Sequence, residues 1–334
     1  MNKENLLVKF SEKPLKNSGK FVGERSFLEL LDNSFIIIDK DAGYTSHQTA
    51  DFLKKILNVE KAGHSGTLDP NVTGVLVCGI NKATRLMEYM LKSNKEYVCL
   101  MYVHKETSIE NIKDAFKKFT GKIMQMPPVV SAVKRELRER EIYYINLIDF
   151  DETCQNILFR VGCQHGTYIR KLCSDIGEYI EKGAHMKELR RTKAGPFTEN
   201  DSIISLDKLR NLYELYILND SNKDFYEKQL RNYIRPVEEL LKDYKKVYVR
   251  NSAVDRICHG SDLAIPGVSM LENNIDIGET VAMFTLKEEL IGIGIAFMTS
   301  QNVIKKDKGA FVKTKKVLMN VGTYPCVWNF SEDE

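Results

Sequence analysis

Gly63-His64-Ser65-Gly66-Thr67-Leu68-Asp69-Pro70 places one carboxylate between a loop of small residues and a proline, with the apolar run Val75-Leu76-Val77 a few residues on. The two glycines let the backbone approach a ligand closely, and Pro70 biases Asp69 toward an extended conformation. Such a loop can hold a carboxylate rigidly at a cleft, as nucleophilic or general-base chemistry requires. Read alone, the same residues also fit a plain Gly-rich turn ending in Asp-Pro. A phosphate cradle is disfavoured, because the lysine of a G-x-x-x-x-G-K-[ST] loop is missing after Gly66. A zinc site or a Cys-His dyad at His64 is disfavoured too, since no second His or Cys stands at ligand spacing nearby.

Outward from this loop, composition narrows the class. The chain has 334 residues, enough for two domains at about 100–200 each. Its 43% hydrophobic and 28% charged residues describe an ordinary soluble globular protein. The sequence contains no apolar run of about 18 residues, which excludes a membrane helix, and Met1 to Asn5 lacks a signal core. A cytoplasmic protein is expected. Seven scattered cysteines without a C-x-x-C pair fit a reducing compartment, with neither a disulfide framework nor structural zinc.

Net charge is only +3, but it is segregated. Residues 113–141 hold eight Lys/Arg against four acids, 182–193 five against one, and 302–316 six against one. Any single run could be a solvated face. Three together favour a polyanionic partner, because Lys and Arg neutralising phosphates dominate nucleic-acid affinity.

The hydrophobic pattern predicts an α+β chain. Residues 1–30 read as an extended arm. Strands are expected at Phe35–Asp39, Val75–Ile80, Tyr97–Val103, Ile142–Ile148 and Ile157–Cys163. Ser46 is a plausible N-cap for a helix with Ala50, Leu53, Ile56 and Leu57 inward, and Ser108 for one with Ile112, Ala115, Phe116 and Phe119 inward. Thr167 is expected to cap a third helix, which puts Arg170 at its N3 position. From Val247 onward, short apolar segments alternate with glycines, the texture of a small β-barrel. The organisation read from the chain is an arm over 1–30, a catalytic domain over 31–240 and a barrel over 245–329.

Further segments accompany the Asp69 loop. These are Lys95-Glu96-Tyr97, the stretch from Gln125 to Lys134 with Pro127-Pro128, Gly166-Thr167-Tyr168-Ile169-Arg170, and Leu189-Arg190-Arg191-Thr192. Together with the Asp69 loop they resemble the motifs of the TruB/dyskerin family of RNA pseudouridine synthases. The likeness spans roughly residues 34–200 and continues into a C-terminal half that resembles a PUA RNA-binding domain. The run Ala132 to Arg138 and the ending Gly322-Thr323-Tyr324-Pro325 with Trp328 are closest to the archaeal-type dyskerin branch.

This resemblance implies a mixed-sheet catalytic domain with a small C-terminal PUA-like barrel. It also implies an isomerase that converts uridine to pseudouridine in rRNA, and in tRNA, within an H/ACA ribonucleoprotein. Isomerisation breaks the N1–C1′ bond and joins C1′ to C5 without net transfer of electrons, so no cofactor or metal is expected. The target base must leave its stack. Asp69 is the implied nucleophile or base and Arg170 its ion-pair partner. Tyr97 would stack on the flipped uracil and move a proton, and Leu189 would pack against the base. His64 would wedge into the RNA or orient the loop. RNA contacts are also implied for Lys40, Lys134, Arg190 and Arg191, and His259, Gly260 and Ser261 are candidates to hold the ACA end of a guide. Implied partners are guide and substrate RNA with a zinc-ribbon-type, a glycine/arginine-type and a kink-turn-binding protein, and no membrane.

Two departures from the family pattern carry expectations. Asp41 replaces the proline of a K-P-x-G turn in Lys40-Asp41-Ala42-Gly43, predicting a looser loop, and Glu139 and Glu141 dilute the basic run around Arg140. The alternatives are a non-catalytic H/ACA scaffold and a stand-alone tRNA pseudouridine-55 synthase. A pure scaffold would need none of Asp69, Tyr97 and Arg170.

Overall fold

The computed structural model describes residues 5–126 and 136–326; Lys134, with the rest of 127–135, and Trp328 lie outside the described residues. Contacts divide the chain into two compact units, one of residues 36–80 and 86–233, the other of 1–35, 81–85 and 234–334.

The first unit is built on a mixed sheet. Strands follow the order Ile203–Ile204, Asn33–Lys40, Thr73–Asn81, Ala184–Ala194, Lys95–Val103, Asn156–Cys163, Arg138–Phe150 and Gly121–Gln125. Phe35 to Ile38 and Val75 to Cys78 are buried without a break, as strands covered on both faces must be. Lys95–Val103 instead alternates buried with half-buried residues, so one face meets the core. That face contributes Cys99, Met101 and Val103 to a core completed by Ile112, Ala115 and Phe116 of the helix Ile109–Phe119 and by Leu172, Cys173 and Ile176 of the helix Ile169–Tyr179.

Helix starts follow side-chain hydrogen bonding. Ser108 caps Ile109–Phe119 as expected, accepting from the Asn111 N–H. Thr45, not Ser46, caps Ser46–Leu57 through a reciprocal box with Gln48, which leaves the Ser46 hydroxyl free for another task. Thr167 does not cap the third helix, because its hydroxyl donates back to the Gln164 carbonyl. The helix therefore begins at Ile169, and Arg170 is its second residue instead of its third.

The second unit holds a sheet in the order Leu6–Val8, Val268–Glu272, Lys245–Val249, Thr280–Phe284, Leu290–Ala296, Ala310–Val317 and Leu263–Ala264. Leu6–Val8 pairs antiparallel with Val268–Glu272, so the N-terminal segment adds an edge strand here. Val247, Val268, Leu271, Ile291, Phe311 and Tyr324 share its core. No helix among the described residues is long and apolar enough to cross a membrane.

Parallel pairing of Thr73–Asn81 with Ala184–Ala194 joins Thr73 to Arg190 and Gly74 to Arg191. A Cβ on Gly74 would fall 2.2 Å from the Arg191 carbonyl oxygen, and Gly74 has φ +101°. Gly74→Ala is expected to cost at least about 1–3 kcal/mol from the backbone conformation alone. Thermal melting checks this; an unchanged melting temperature would contradict the close approach.

Candidate active site

The Asp69 loop lies between the strands Ala62–His64 and Thr73–Asn81 and is fastened at nearly every residue. Ser65 N–H donates to the Val77 carbonyl (3.0 Å), and Val72 N–H closes a turn onto the Asp69 carbonyl (3.0 Å). Leu68 is buried in the core, and its N–H donates to Ser46 Oγ at 2.7 Å. The Asp69 side chain remains about half exposed and is ion-paired with Arg170, also about half exposed. An open pair of this kind contributes only about 0–1 kcal/mol to stability.

Tyr97 lies on the central strand next to this pair and is nearly buried. Burial raises its phenol pKa, Arg191 opposes the rise, and the Asp69 charge adds to it. At neutral pH the ring therefore carries its proton. Leu189 pairs with Cys99 across the sheet and packs half-buried against the same core. His64 ends the short strand beside the loop, where its Nδ1 accepts from the Gly66 N–H. Burial, then Arg191 and His47, lower its pKa, which keeps the imidazole neutral.

The basic residues named as RNA contacts divide by position. Lys40 is 1% exposed, and its Nζ donates to the carbonyls of Asp41 (2.9 Å), Pro70 (3.0 Å) and Val72 (2.8 Å). It turns inward and ties down the far side of the Asp69 loop. Gly43 N–H adds a bond to the Pro70 carbonyl at 3.0 Å, so the turn lacking its proline is pinned to the loop it supports. Arg191 is also 1% exposed, donating from Nε to the Val75 carbonyl (2.7 Å) and from its terminal nitrogen to that of Gly66 (3.2 Å). Neighbouring strand residues face opposite ways. Arg190 accordingly points to the other face, where Asp39 and Glu199 engage its guanidinium. Lys40 and Arg191 thus brace the protein from inside, and Arg190 is held by two carboxylates.

His259 to Ser261 occupy an exposed turn after the helix Asn251–Cys258. His259 Nδ1 is 2.8 Å from the Asp255 carbonyl oxygen, Gly260 has φ +91°, and the Ser261 carbonyl accepts from Thr314 (2.8 Å). Thr314 belongs to the strand that also carries Lys313 and Lys315, both exposed. No group of three or more His, Cys, Asp or Glu able to hold a metal occurs among the described residues.

Two residues beside the site were not singled out as functional from the sequence. Gln125 is buried and bonds both backbone groups of Tyr168. Lys95 is buried with Nζ donating to oxygens of Met90, Leu91 and Ser93.

A mixed sheet presenting a carboxylate–guanidinium pair beside a buried tyrosine, with a separate small β unit, places the chain among RNA-modifying enzymes once its likenesses are added. Residues 54–169 match the TruB family pseudouridylate synthase N-terminal domain, 170–242 the tRNA pseudouridylate synthase B C-terminal domain, and 245–318 the PUA domain. The chain belongs to the TruB family of pseudouridine synthases, which isomerise uridine in RNA. It is 45% identical to a probable tRNA pseudouridine synthase B of Methanocaldococcus jannaschii, over 98% of this chain and 95% of that one. The corresponding protein of Archaeoglobus fulgidus is 42% identical over the full length of both. Among solved structures, an H/ACA ribonucleoprotein bound to a substrate RNA containing 2′-deoxyuridine matches with TM-score 0.87 and 40% identity, covering 97% of each chain. A Cbf5–Nop10–Gar1 complex matches with TM-score 0.87 and 41% identity, over 96% of this chain and 95% of that one.

Burial and the Arg191 charge lower Lys95 from its ordinary 10.5 to about 7. Between these values the folded lysine is neutral while the unfolded one holds a proton. Unfolding then takes up a proton, so stability rises with pH across this window. Compared with Lys95→Met, the wild type should gain up to about 1 kcal/mol per pH unit between roughly pH 7.5 and 9. Urea titrations at several pH values read this difference; parallel pH curves would refute it.

Proposed function

We propose that this chain is the catalytic subunit of an H/ACA ribonucleoprotein, converting uridine to pseudouridine at positions chosen by a guide RNA, with Asp69 as the reacting carboxylate. The observation that carries the site assignment is the half-exposed Asp69–Arg170 pair on a loop whose backbone is hydrogen-bonded on either side of Asp69, at Leu68 and at Pro70. Guide direction is supported by the whole-length likeness to an H/ACA ribonucleoprotein with bound substrate. The names of the similar archaeal chains favour a second reading, a tRNA synthase acting at position 55 without a guide. A scaffold without catalysis is the weaker reading, because it gives the ion pair no purpose.

The chemistry follows from the groups present. A uridine turned out of its stack places its ring on the Tyr97 face, with Leu189 against the base. Arg170 fixes one carboxylate oxygen of Asp69 and leaves the other to act on the sugar or the base. Cleavage of N1–C1′ leaves the bonding pair on N1 and frees the uracil to rotate. C5 then bonds C1′, a base such as the Asp69 carboxylate takes the C5 proton, and N1 gains a proton, so atoms and electrons are conserved. Tyr97, protonated at neutral pH, can donate a hydrogen bond to the ring or relay a proton but is a poor base. Its burial and the neighbouring charges fit that division of labour.

The basic faces suit RNA. Lys305, Lys306, Lys308, Lys313 and Lys315 are exposed in the PUA domain, and Thr314, between the last two, bonds the turn from His259 to Ser261 that is proposed to hold the ACA end. A zinc-ribbon-type and a glycine/arginine-type protein are the proposed partners, supported by similarity to a Cbf5–Nop10–Gar1 complex. A kink-turn-binding protein completes the proposed assembly.

Asp69→Asn, nearly isosteric, should leave RNA affinity intact and abolish conversion in the reconstituted complex. Tyr97→Phe should slow single-turnover conversion by about 10²-fold or more if the hydroxyl moves a proton. Conversion by Asp69→Asn at the wild-type rate would remove the catalytic assignment. Conversion of a tRNA substrate without guide RNA, at the guided rate, would favour the stand-alone enzyme.

A further inference from the structure

Two buried neutral side chains stand behind the ion pair in equivalent ways. Ser46 and Gln125 are each 1% exposed. Ser46 Oγ accepts from the Leu68 N–H (2.7 Å) and lies 3.2 Å from the Leu68 carbonyl oxygen, to which it donates. Leu68 immediately precedes Asp69. Gln125 Oε1 accepts from the Tyr168 N–H (2.9 Å), and its Nε2 donates to the Tyr168 carbonyl (3.2 Å). Tyr168 is the N-cap of the helix whose second residue is Arg170. Each partner of the ion pair therefore follows, by one or two residues, a peptide gripped at both its N–H and its C=O.

We propose that Ser46 and Gln125 are positioning residues that set the relative placement of the Asp69 carboxylate and the Arg170 guanidinium. The proposal rests on the reading of Asp69 as the reacting carboxylate.

Both clamps stand on rigid elements. Ser46 is the first residue of a helix anchored by buried Thr49, Ala50, Leu53 and Leu57, and Thr45 supplies the cap so that Ser46 need not. Gln125 ends a strand paired with Arg138–Phe150. The Tyr168 side chain does not cap the helix, and Gln125 bonds the backbone N–H of that position while sharing its carbonyl with the Leu172 N–H. The ion pair is too exposed to fix itself, and a long arginine held only at its tip by a short aspartate would sample several arrangements. Clamping the backbone beside each partner removes that freedom. Small misplacements of a reacting group can cost about 10²-fold in rate without altering substrate binding.

The test is single-turnover pseudouridine formation by the full chain assembled with partners and guide RNA, measured with RNA affinity and melting temperature. Ser46→Cys keeps the shape with much weaker hydrogen bonding, Ser46→Ala removes the hydroxyl, Ser46→Thr retains it, and Gln125→Met removes both amide contacts. The expected result is a rate at saturating RNA lowered about 10- to 100-fold in the Cys, Ala and Met variants, with unchanged RNA affinity and recovery in Ser46→Thr. Wild-type rates in those three variants, alongside inactive Asp69→Asn, would overturn the proposal and spare Asp69. If Asp69→Asn itself is active, the underlying reading fails instead. Parallel loss of rate, affinity and melting temperature in Ser46→Cys and Gln125→Met would also overturn it, showing residues that only hold the fold.

Discussion

The guanidinium of Arg191 is the constraint on which the site depends. It is buried, and a buried charge is tolerated only when its donors are satisfied. Here the donors reach the carbonyls of Gly66 and Val75, which belong to the Asp69 loop and to the strand that follows it. A hydrogen bond from a charged group contributes about 1.5–3 kcal/mol, more than the about 0–1 kcal/mol of an exposed pair such as Asp69–Arg170. The same charge acts on its neighbours. It lowers the pKa of Lys40, His64 and Lys95 in addition to the effect of burial, and it opposes the burial-driven rise at Cys78 and Tyr97. One arginine thus joins loop to sheet and makes further positive charge around it less favourable.

The buried polar residues around the site and the proposed reacting pair are different residues. Lys40, Ser46, Gln125 and Arg191 are buried and bond backbone; Asp69 and Arg170 are half exposed and bond each other. This separation suits a reaction in which the substrate must be swung out of a nucleic-acid stack. The proposed Asp69–Arg170 pair is open to receive a base, so it is not anchored by its own burial. Rigidity has to come through the peptide chain from behind.

The sequence revealed the loop, the central strands and the core faces of the helices because each is written locally, in small residues before Asp-Pro or in runs and stripes of apolar side chains. It could not reveal which way the basic residues point. Lys40 beside a glycine turn looks like a phosphate contact, yet the carbonyls that capture it belong to Pro70 and Val72, thirty residues away. Arg190 and Arg191 look alike in the chain. Only the strand's alternation and its neighbours, Asp39 and Glu199 on one face and Gly66 on the other, distinguish them. Thr45 and Ser46 are equally good caps on paper, and the choice between them depends on Leu68 lying within reach of one.

The missing proline at Asp41 shows how such a network absorbs a local change. Proline stiffens a turn by limiting backbone freedom, and its loss would loosen an isolated loop. In this chain the turn is held at other points, since the Lys40 ammonium and the Gly43 N–H both bond the Pro70 carbonyl. These hydrogen bonds restrain the turn and also fix the residue after Asp69. A turn without its proline is thus held by hydrogen bonds at the point where it meets the Asp69 loop.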